Sequence, residues 1–420
     1  MLLIFEVTTL KIFYTMIHRK IYIEQLKDFI DKPQVKIITG VRRSGKSSVM
    51  LLLKEELLKR SVTPEQIIYI NLESFAFSEL KNAKALYQYV SEQKVEGQKT
   101  YLLIDEIQEV TEWQKTINAF LVDLNIANYL TGSNAYLLSS ELATHLAGRY
   151  VEISVYTLSF SEYLQFRAYY FPKDQPTTKD SFLTYLRIGG FPVLHTANYT
   201  EVSAYKVIYD IYSSVILRDT VQRYNIRDVE LLERVIKYAF ENIGNTFSGK
   251  NVADYFKSQQ RKVDLNTIYN YLSALEGAFI LYRTPRYDIK GKEILKTQEK
   301  FYLSDVGLLY ATMGFRDTKI NGILENIVFL ELKRRDYQVY VGKFDLKEID
   351  FVAEKQGKKI YVQVAYKLES EATIEREFSQ LIAIEDQYPK FVVTMDDFWR
   401  ESVEGVKHFY ITDFLLSEEY

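Results

Sequence analysis

The chain has 420 residues, 47% of them hydrophobic and 26% charged, with a net charge of −3. That balance fits a soluble globular protein of two or three domains and gives no global electrostatic case for nucleic-acid binding. With no cysteine and only four histidines, disulfides and thiolate metal sites are excluded and a zinc enzyme is disfavoured. Seven prolines and no low-complexity tract argue against long disordered linkers, and the 34 tyrosines and 25 phenylalanines read as core packing. No apolar run reaches the ~20 residues needed to span a bilayer. The start, Met1 to Tyr14, carries Glu6 and Lys11 and lacks a basic leader, so no membrane partner and a cytoplasmic location are expected. Translation could begin at Met1 or at Met16, and residues 1–20 are set apart as an N-terminal extension.

Residues 21–32 have the spacing of a short amphipathic helix (Ile23, Leu26, Ile30), expected to cap the pocket formed after the first strand. The apolar run Val35 to Ile38 follows. Then comes Gly40-Val41-Arg42-Arg43-Ser44-Gly45-Lys46-Ser47, which reads G-x-x-x-x-G-K-S, and Ser48 opens a helical run to Lys59. Strand, glycine-rich loop and helix in this order make a phosphate-binding loop. Glycines let backbone N–H groups turn inward around a β-phosphate, and the helix N-terminus adds partial positive charge. Lys46 is placed to reach the β- and γ-phosphates and the Ser47 hydroxyl to ligate Mg²⁺, so ATP and Mg²⁺ are the expected cofactors.

Ile67 to Leu72 reads as a buried strand and Leu80 to Lys94 as a helix. Thr100 to Ile104 is an apolar run ending in Asp105-Glu106. In a parallel sheet covered on both faces, strands are continuous apolar runs and ligands bind at their carboxyl ends. Asp105 is therefore expected to hold Mg²⁺ through water and Glu106 to polarise an attacking water. Ile126 to Leu130 is a further strand, ending in Thr131-Gly132-Ser133-Asn134, where Asn134 or Ser133 is placed to sense a γ-phosphate. A helix from Ala135 to His145 leads to Leu146-Ala147-Gly148-Arg149-Tyr150, and Val151 to Val155 is β-branched strand. Arg149 suits transition-state phosphate charge, in cis or from a neighbouring subunit of an oligomer. A surface ion pair is the competing reading.

These motifs, in this order, carry a resemblance: G-V-R-R-S-G-K-S, L-L-I-D-E-I-Q, T-G-S-N, L-A-G-R-Y, then L-S-F-S-E-Y at Leu158 to Tyr163. Gly189-Gly190-Phe191-Pro192 and Tyr302-Leu303-Ser304-Asp305-Val306-Gly307-Leu308 add to it. From about Arg19 onward the chain resembles a large group of prokaryotic AAA-type ATP-binding proteins whose C-terminal part has no assigned function. The resemblance implies ATP binding and an AAA-like ATPase core over residues 21–157.

Residues 158–230 read as a helical lid, with helices from Ser161 to Tyr170, Asp180 to Arg187 and Val202 to Tyr224. Arg218 and Asp219 are expected on a solvated face of the last, with nucleotide or subunit contact as the alternative. Residues 231–305 have the rhythm of a winged helix-turn-helix: Leu231 to Asn242, a short helix N-capped by Ser248, then Asp264 to Leu275, a strand from Ala278 to Tyr282 and a returning strand from Lys300 to Leu303. Residues 245–300 hold ten Lys/Arg against six acids, a modest basic patch that fits DNA as well as a protein partner.

Residues 306–420 have the layout of a restriction-endonuclease-like α/β domain. Glu325 lies on a helix, Asp350 on a strand, and a central strand stands where Glu-x-Lys belongs. Carboxylates so placed would converge on a metal that activates water. The central strand instead reads Gln363-Val364-Ala365, so the site formed by Glu325, Asp350 and Gln363 reads as vestigial, with Lys367 the nearest replacement for the missing lysine. The expected fold class is α/β: a P-loop AAA-type core of parallel sheet flanked by helices, a helical lid, a winged helix and an endonuclease-like domain. The expected function is a Mg²⁺-dependent ATPase acting as a nucleotide-driven switch on DNA or protein. An ATP-gated metal-dependent nuclease and a non-hydrolysing ATP-bound regulator or scaffold are the alternatives.

Overall fold

A computed structural model of the chain describes residues 16–135, 146, 148–258, 260, 263–314, 320–397 and 401–420. The extension before residue 16, residues 136–145 of the helix expected from Ala135 to His145 and the basic residues Arg261 and Lys262 lie outside the described residues. Chain order begins α1 (Lys20–Lys27), β1 (Val35–Thr39), α2 (Lys46–Lys59), β2 (Ile67–Asn71), α3 (Ala83–Gln93), β3 (Tyr101–Asp105), α4 (Trp113–Val122), β4 (Ala127–Gly132) and β5 (Tyr150–Ser154). The five strands form one parallel sheet in the order β2-β3-β4-β1-β5.

Successive side chains of a strand point to opposite faces, and both faces are covered here. Ile37, Leu102, Ile104 and Leu130 meet Leu86 and Val90 of α3 and Ile117 and Phe120 of α4. Ile38, Leu103, Tyr129 and Ile153 meet Ile23 and Leu26 of α1 and Val49, Leu53 and Leu57 of α2. This two-sided burial is why the strands read as unbroken apolar runs. The register Thr39↔Gly132 and Ile104↔Leu130 brings the ends of β1, β3 and β4 level at one edge. Helix α1 does not lie over that edge as a cap; it packs on α2 and the edge strand β5.

Three helices follow, α5 (Phe160–Tyr170), α6 (Thr178–Ile188) and α7 (Glu201–Ser214), the last running on into a π-helical turn, Val215–Gln222. One unbroken helix was expected from 202 to 224; the widened turn replaces its end. Next come α8 (Val229–Glu241), β6 (Thr246–Phe247), α9 (Gly249–Ser258), α10 (Leu265–Gly277), β7 (Leu281–Asp288) and β8 (Glu293–Leu303). Helix α8 turns Leu231, Leu232, Val235, Ile236, Ala239 and Phe240 inward at helical spacing. The Asp264 carboxylate accepts the Asn266 N–H and caps α10. Then follow α11 (Gly307–Met313), α12 (Ile320–Arg334), β9 (Gln338–Phe344), β10 (Lys347–Lys355), β11 (Lys358–Val364), α13 (Glu371–Ile382), β12 (Lys390–Thr394), β13 (Ser402–Val403), β14 (Val406–Tyr410) and α14 (Ile411–Leu416).

The domain boundary expected at 305/306 is crossed by a sheet. Among the described residues, nine strands pair in the order β13-β14-β12-β11-β10-β9-β7-β8-β6, and β7 pairs in parallel with β9 through Arg286↔Val341 and its neighbours. The two strands that read as a wing, both longer than the sequence suggests, thus extend the C-terminal sheet.

The halves also meet at a buried carboxylate. Asp305 accepts the Gly190 N–H at 2.8 Å and the Gly307 N–H at 2.9 Å, while Gly190 O receives the Leu158 N–H at 2.7 Å. Burial pushes the Asp305 carboxyl up to about 6, against the hydrogen bond from Gly190. Gly189 is needed beside it: its φ is +80°, and a Cβ there would stand 1.8 Å from Asp305 Oδ1. We expect Gly189→Ala to lower stability by roughly 2–4 kcal/mol. Urea unfolding would measure this, and a loss under about 0.5 kcal/mol would show that the knot tolerates a side chain.

Candidate nucleotide site

The Gly40 to Ser47 loop leaves the end of β1 and turns directly into α2. Gly40 has φ +141°, and a Cβ on it would lie 2.1 Å from the Val155 carbonyl, so the loop is drawn against β5's end as no other residue type allows. Lys46 is buried, its ammonium 3.1 Å from Gly40 O and 3.2 Å from Val41 O, folded back across the loop it would serve. Burial lowers its pKa, and the nearby Glu106 and Asp105 oppose that. Arg43 holds φ +69°. Arg42 extends to Glu73 Oε1 at 2.5 Å, and Ser48 continues the first turn of α2. The Ser44 hydroxyl is buried and has no hydrogen-bond partner among the described residues.

Asp105 ends β3 beside this loop. Burial raises its pKa, while hydrogen bonds from the Ser47 and Thr131 hydroxyls lower it. Thr131 is a relay: its hydroxyl donates to Asp105 Oδ1 and accepts the Glu106 N–H at 2.9 Å. Glu106 has φ +59° and is turned toward the end of β4. Its carboxylate accepts from the Gln108 amide and from the Ser133 hydroxyl at 3.4 Å. Asn134 follows, also buried. Lys46, Ser47, Asp105, Glu106, Ser133 and Asn134 therefore share one edge of the sheet.

These residues fit a triphosphate and its metal. The glycine bend leaves no room for a side chain, the ammonium rests on loop carbonyls that give it little charge compensation, and a hydroxyl and a carboxylate stand paired where a hard cation takes oxygen ligands. Gly40, Val41, Arg42, Arg43, Ser44, Gly45, Lys46, Ser47 and Ser48 would hold the phosphates, and Ser47 with Asp105 the Mg²⁺. Bound there, Mg²⁺ neutralises phosphate charge.

Arg149 lies elsewhere. Its carbonyl accepts the Val35 N–H at 2.8 Å, and Tyr150 pairs with Val35, so it stands at the start of β1 and β5. The loop leaves β1 after five residues, at its other end, which excludes a cis role. Its side chain is exposed and 3.5 Å from Asn118 Oδ1. Asp219 is also corrected: it is buried, not on a solvated face, and its nearest charges are Arg223, Arg42, Glu106 and Lys46. Arg218 beside it is half-exposed, 3.7 Å from Glu109.

Sequence reasoning missed Arg19. The Arg19 guanidinium, at the start of α1, donates Nε to Glu162 Oε1 and Nη2 to Glu162 Oε2, both at 2.8 Å. It donates Nη1 to the Ser44 carbonyl at 2.8 Å and Nη2 to Tyr156 O at 3.0 Å. Glu162 is oriented by a capping box with Ser159 at the start of α5. The local signal was Ser159-x-x-Glu162; its partner lies 143 residues away.

In the C-terminal sheet, Glu325 of α12, Asp350 of β10 and Gln363 of β11 come together. Gln363 Oε1 accepts the Asp350 N–H at 3.2 Å, and Asp350 Oδ2 accepts the Val364 N–H at 2.9 Å. Lys300 of β8, counted in the basic patch from sequence, is buried among them. Its ammonium lies 3.2 Å from Glu325, 2.8 Å from Glu348 and 3.4 Å from Asp350. Lys367 is directed away, 3.7 Å from Glu369 on the surface. Burial and then the Asp350 charge push the Glu325 carboxyl up to about 8, against the pull of Lys300.

The parallel order, the loop after β1 and the acid pair after β3 define a P-loop protein of the AAA class. The AAA domain family matches residues 32–164, and a domain of unknown function matches residues 179–319. An uncharacterized protein of Haemophilus influenzae is 38% identical over 402 residues, covering 96% of this chain and 99% of that protein. An uncharacterized protein of Methanocaldococcus jannaschii is 30% identical over 358 residues, covering 82% of this chain and 77% of that one. A Walker-type ATPase of Pyrococcus abyssi is similar in structure, with TM-score 0.49 and 14% identity over 70% of this chain and 95% of that one. The chain belongs to the same family as the H. influenzae protein.

Folded Glu325 holds its proton above the unfolded carboxyl range of about 4.3. Its contribution to stability is complete below that range and is lost as pH rises through about 8. We expect stability to fall between about pH 5 and 8, by up to about 1.4 kcal/mol per pH unit from this group. Glu325→Gln should flatten the slope, and urea titrations at several pH values would read it. Equal slopes in both proteins would refute the assignment.

Proposed function

We propose that the protein is a Mg²⁺-dependent ATPase whose nucleotide cycle moves the lid and the C-terminal sheet against a partner. One observation carries this: Lys46, Ser47, Asp105 and Glu106 converge at a single edge of the parallel sheet, with Thr131 bonded to both acids. Lys46 and the loop N–H groups bind phosphate; Ser47 and Asp105 hold Mg²⁺; Glu106, oriented by Gln108 and Ser133, takes up a proton from water; Asn134 senses the terminal phosphate. Lys46→Ala should abolish ATP binding. Glu106→Gln should bind ATP and lose turnover by at least about 100-fold. Titration calorimetry and phosphate release would measure the two, and a wild-type protein that binds no ATP at millimolar concentration would end the proposal.

The position of Arg149 supports action in trans, on nucleotide held by a neighbouring copy. Neither Arg149→Ala nor Lys46→Ala alone should turn over ATP. Mixed together they should recover about a quarter or more of wild-type activity in a dimer with shared sites, because one site pairs intact residues. No recovery on mixing would return Arg149 to the surface.

The module from α8 to β8 has the helix and strand order of a winged helix. Its third helix presents Asn266, Tyr269 and Asn270 and no basic residue. Two cations of the module are paired with acids: Arg283 with Glu276 at 2.6 Å and Lys290 with Asp345 at 2.6 Å. This supports a protein partner over DNA, and a salt-sensitive affinity for duplex DNA would reverse the preference. The α12–β14 region supports an endonuclease-like reading with the hydrolytic site lost, because the Lys300 ammonium takes the place among the carboxylates that a cation would need.

A further inference from the structure

A cavity of about 260 Å³ lies between the lid and the phosphate loop, lined by Arg42, Gln108, Glu109, Arg218, Asp219 and Arg223 among others. It is polar and roomy enough for water. One wall is the π-helical turn that closes α7. Such turns are rare and concentrate at functional positions. This one carries Asp219 inward, 4% exposed, with an Oδ2 that accepts no hydrogen bond among the described residues. A buried carboxylate oxygen without a donor is unfavourable unless nearby cations compensate it. Burial raises the Asp219 pKa, and the charges of Arg223, Arg42 and Lys46 offset this in part, with Glu106 against them. Two of the three, Arg42 and Lys46, belong to the loop that takes phosphate. The turn's ion pair to this edge is weak, since Arg218 and Glu109 are 3.7 Å apart and partly exposed.

We propose that Asp219 is the positioning residue through which the lid reads phosphate charge. It serves as counter-charge to Arg42 and Lys46 until a triphosphate claims both cations. The like charges then repel, and Asp219 leaves with its turn, opening the lid edge. The proposal rests on the ATPase reading and adds to it the carboxylate that converts phosphate charge into lid movement.

The test uses the full chain with Asp219→Asn, which removes the charge and keeps the shape. ATP affinity should rise about tenfold, the scale expected of one like charge a few ångströms off in a partly buried site. Hydrogen exchange over residues 215–222 should quicken in the wild type when a non-hydrolysable ATP analogue binds, and should not respond in Asp219→Asn. Asp219→Glu keeps the charge and should bind ATP within about twofold of wild type; a purely structural role predicts that both variants behave alike. Unchanged or weaker ATP binding by Asp219→Asn, beside a wild type that binds, overturns this proposal alone. A wild type that binds no ATP removes the ATPase reading and this one with it.

Discussion

One buried ion pair holds the nucleotide edge in shape. Arg19 spends its donors on the Glu162 carboxylate, on a carbonyl inside the phosphate loop and on a carbonyl past the end of β5. Breaking such a pair by removing one partner costs about 3–5 kcal/mol, because the remaining charge is left buried and uncompensated. The loop is thereby fixed by a side chain from outside it. Glu162 also caps α5, so the loop, α1 and α5 answer to the same two charges.

The pair leads into the second half of the molecule. Arg334, near the end of α12, donates to the Thr157 carbonyl at 3.1 Å and to Glu331 at 2.6 Å, and its charge acts on Glu162. The same helix carries Glu325 into the Lys300 cluster about two and a half turns earlier. A rigid element thus runs from the back of the phosphate loop to the interior of the C-terminal sheet. With the Asp305 knot beside it, the contacts joining the halves are buried and polar, a kind of junction that holds a few defined arrangements better than a continuum.

The phosphate loop and the acid pair were legible because their geometry is local: eight consecutive residues make the bend, and an apolar run with two acids at its end makes the neighbour. Lys300 and Arg19 were not. Lys300 reads as one more surface cation until the sheet brings Glu325 and Asp350, 25 and 50 residues away, against it. Arg149 was legible as a chemical type but not as a location, although the residue before a parallel strand lies at the end away from the ligands. The break expected at residue 305 followed from reading each hydrophobic pattern as its own domain; pattern does not reveal that β7 pairs with a strand more than fifty residues further on. Asp219 was misplaced because a regular helix carried to residue 224 turns its face differently from a π-turn.

A sheet of nine strands also poses a problem of company. Its outermost strands expose backbone donors and acceptors that could pair with another copy, and long flat edges are where chains join into aggregates. Here β6 and β13 close the two sides with two residues each, Thr246–Phe247 and Ser402–Val403. On one side that closure is partial, because β6 pairs only with Glu299 and Lys300 of the 11-residue β8. The fused sheet is thus blunted where the two-residue strands sit, and along the rest of β8 the charged side chain of Glu293, with Glu299 at the margin of the paired stretch, is what discourages a second chain from pairing.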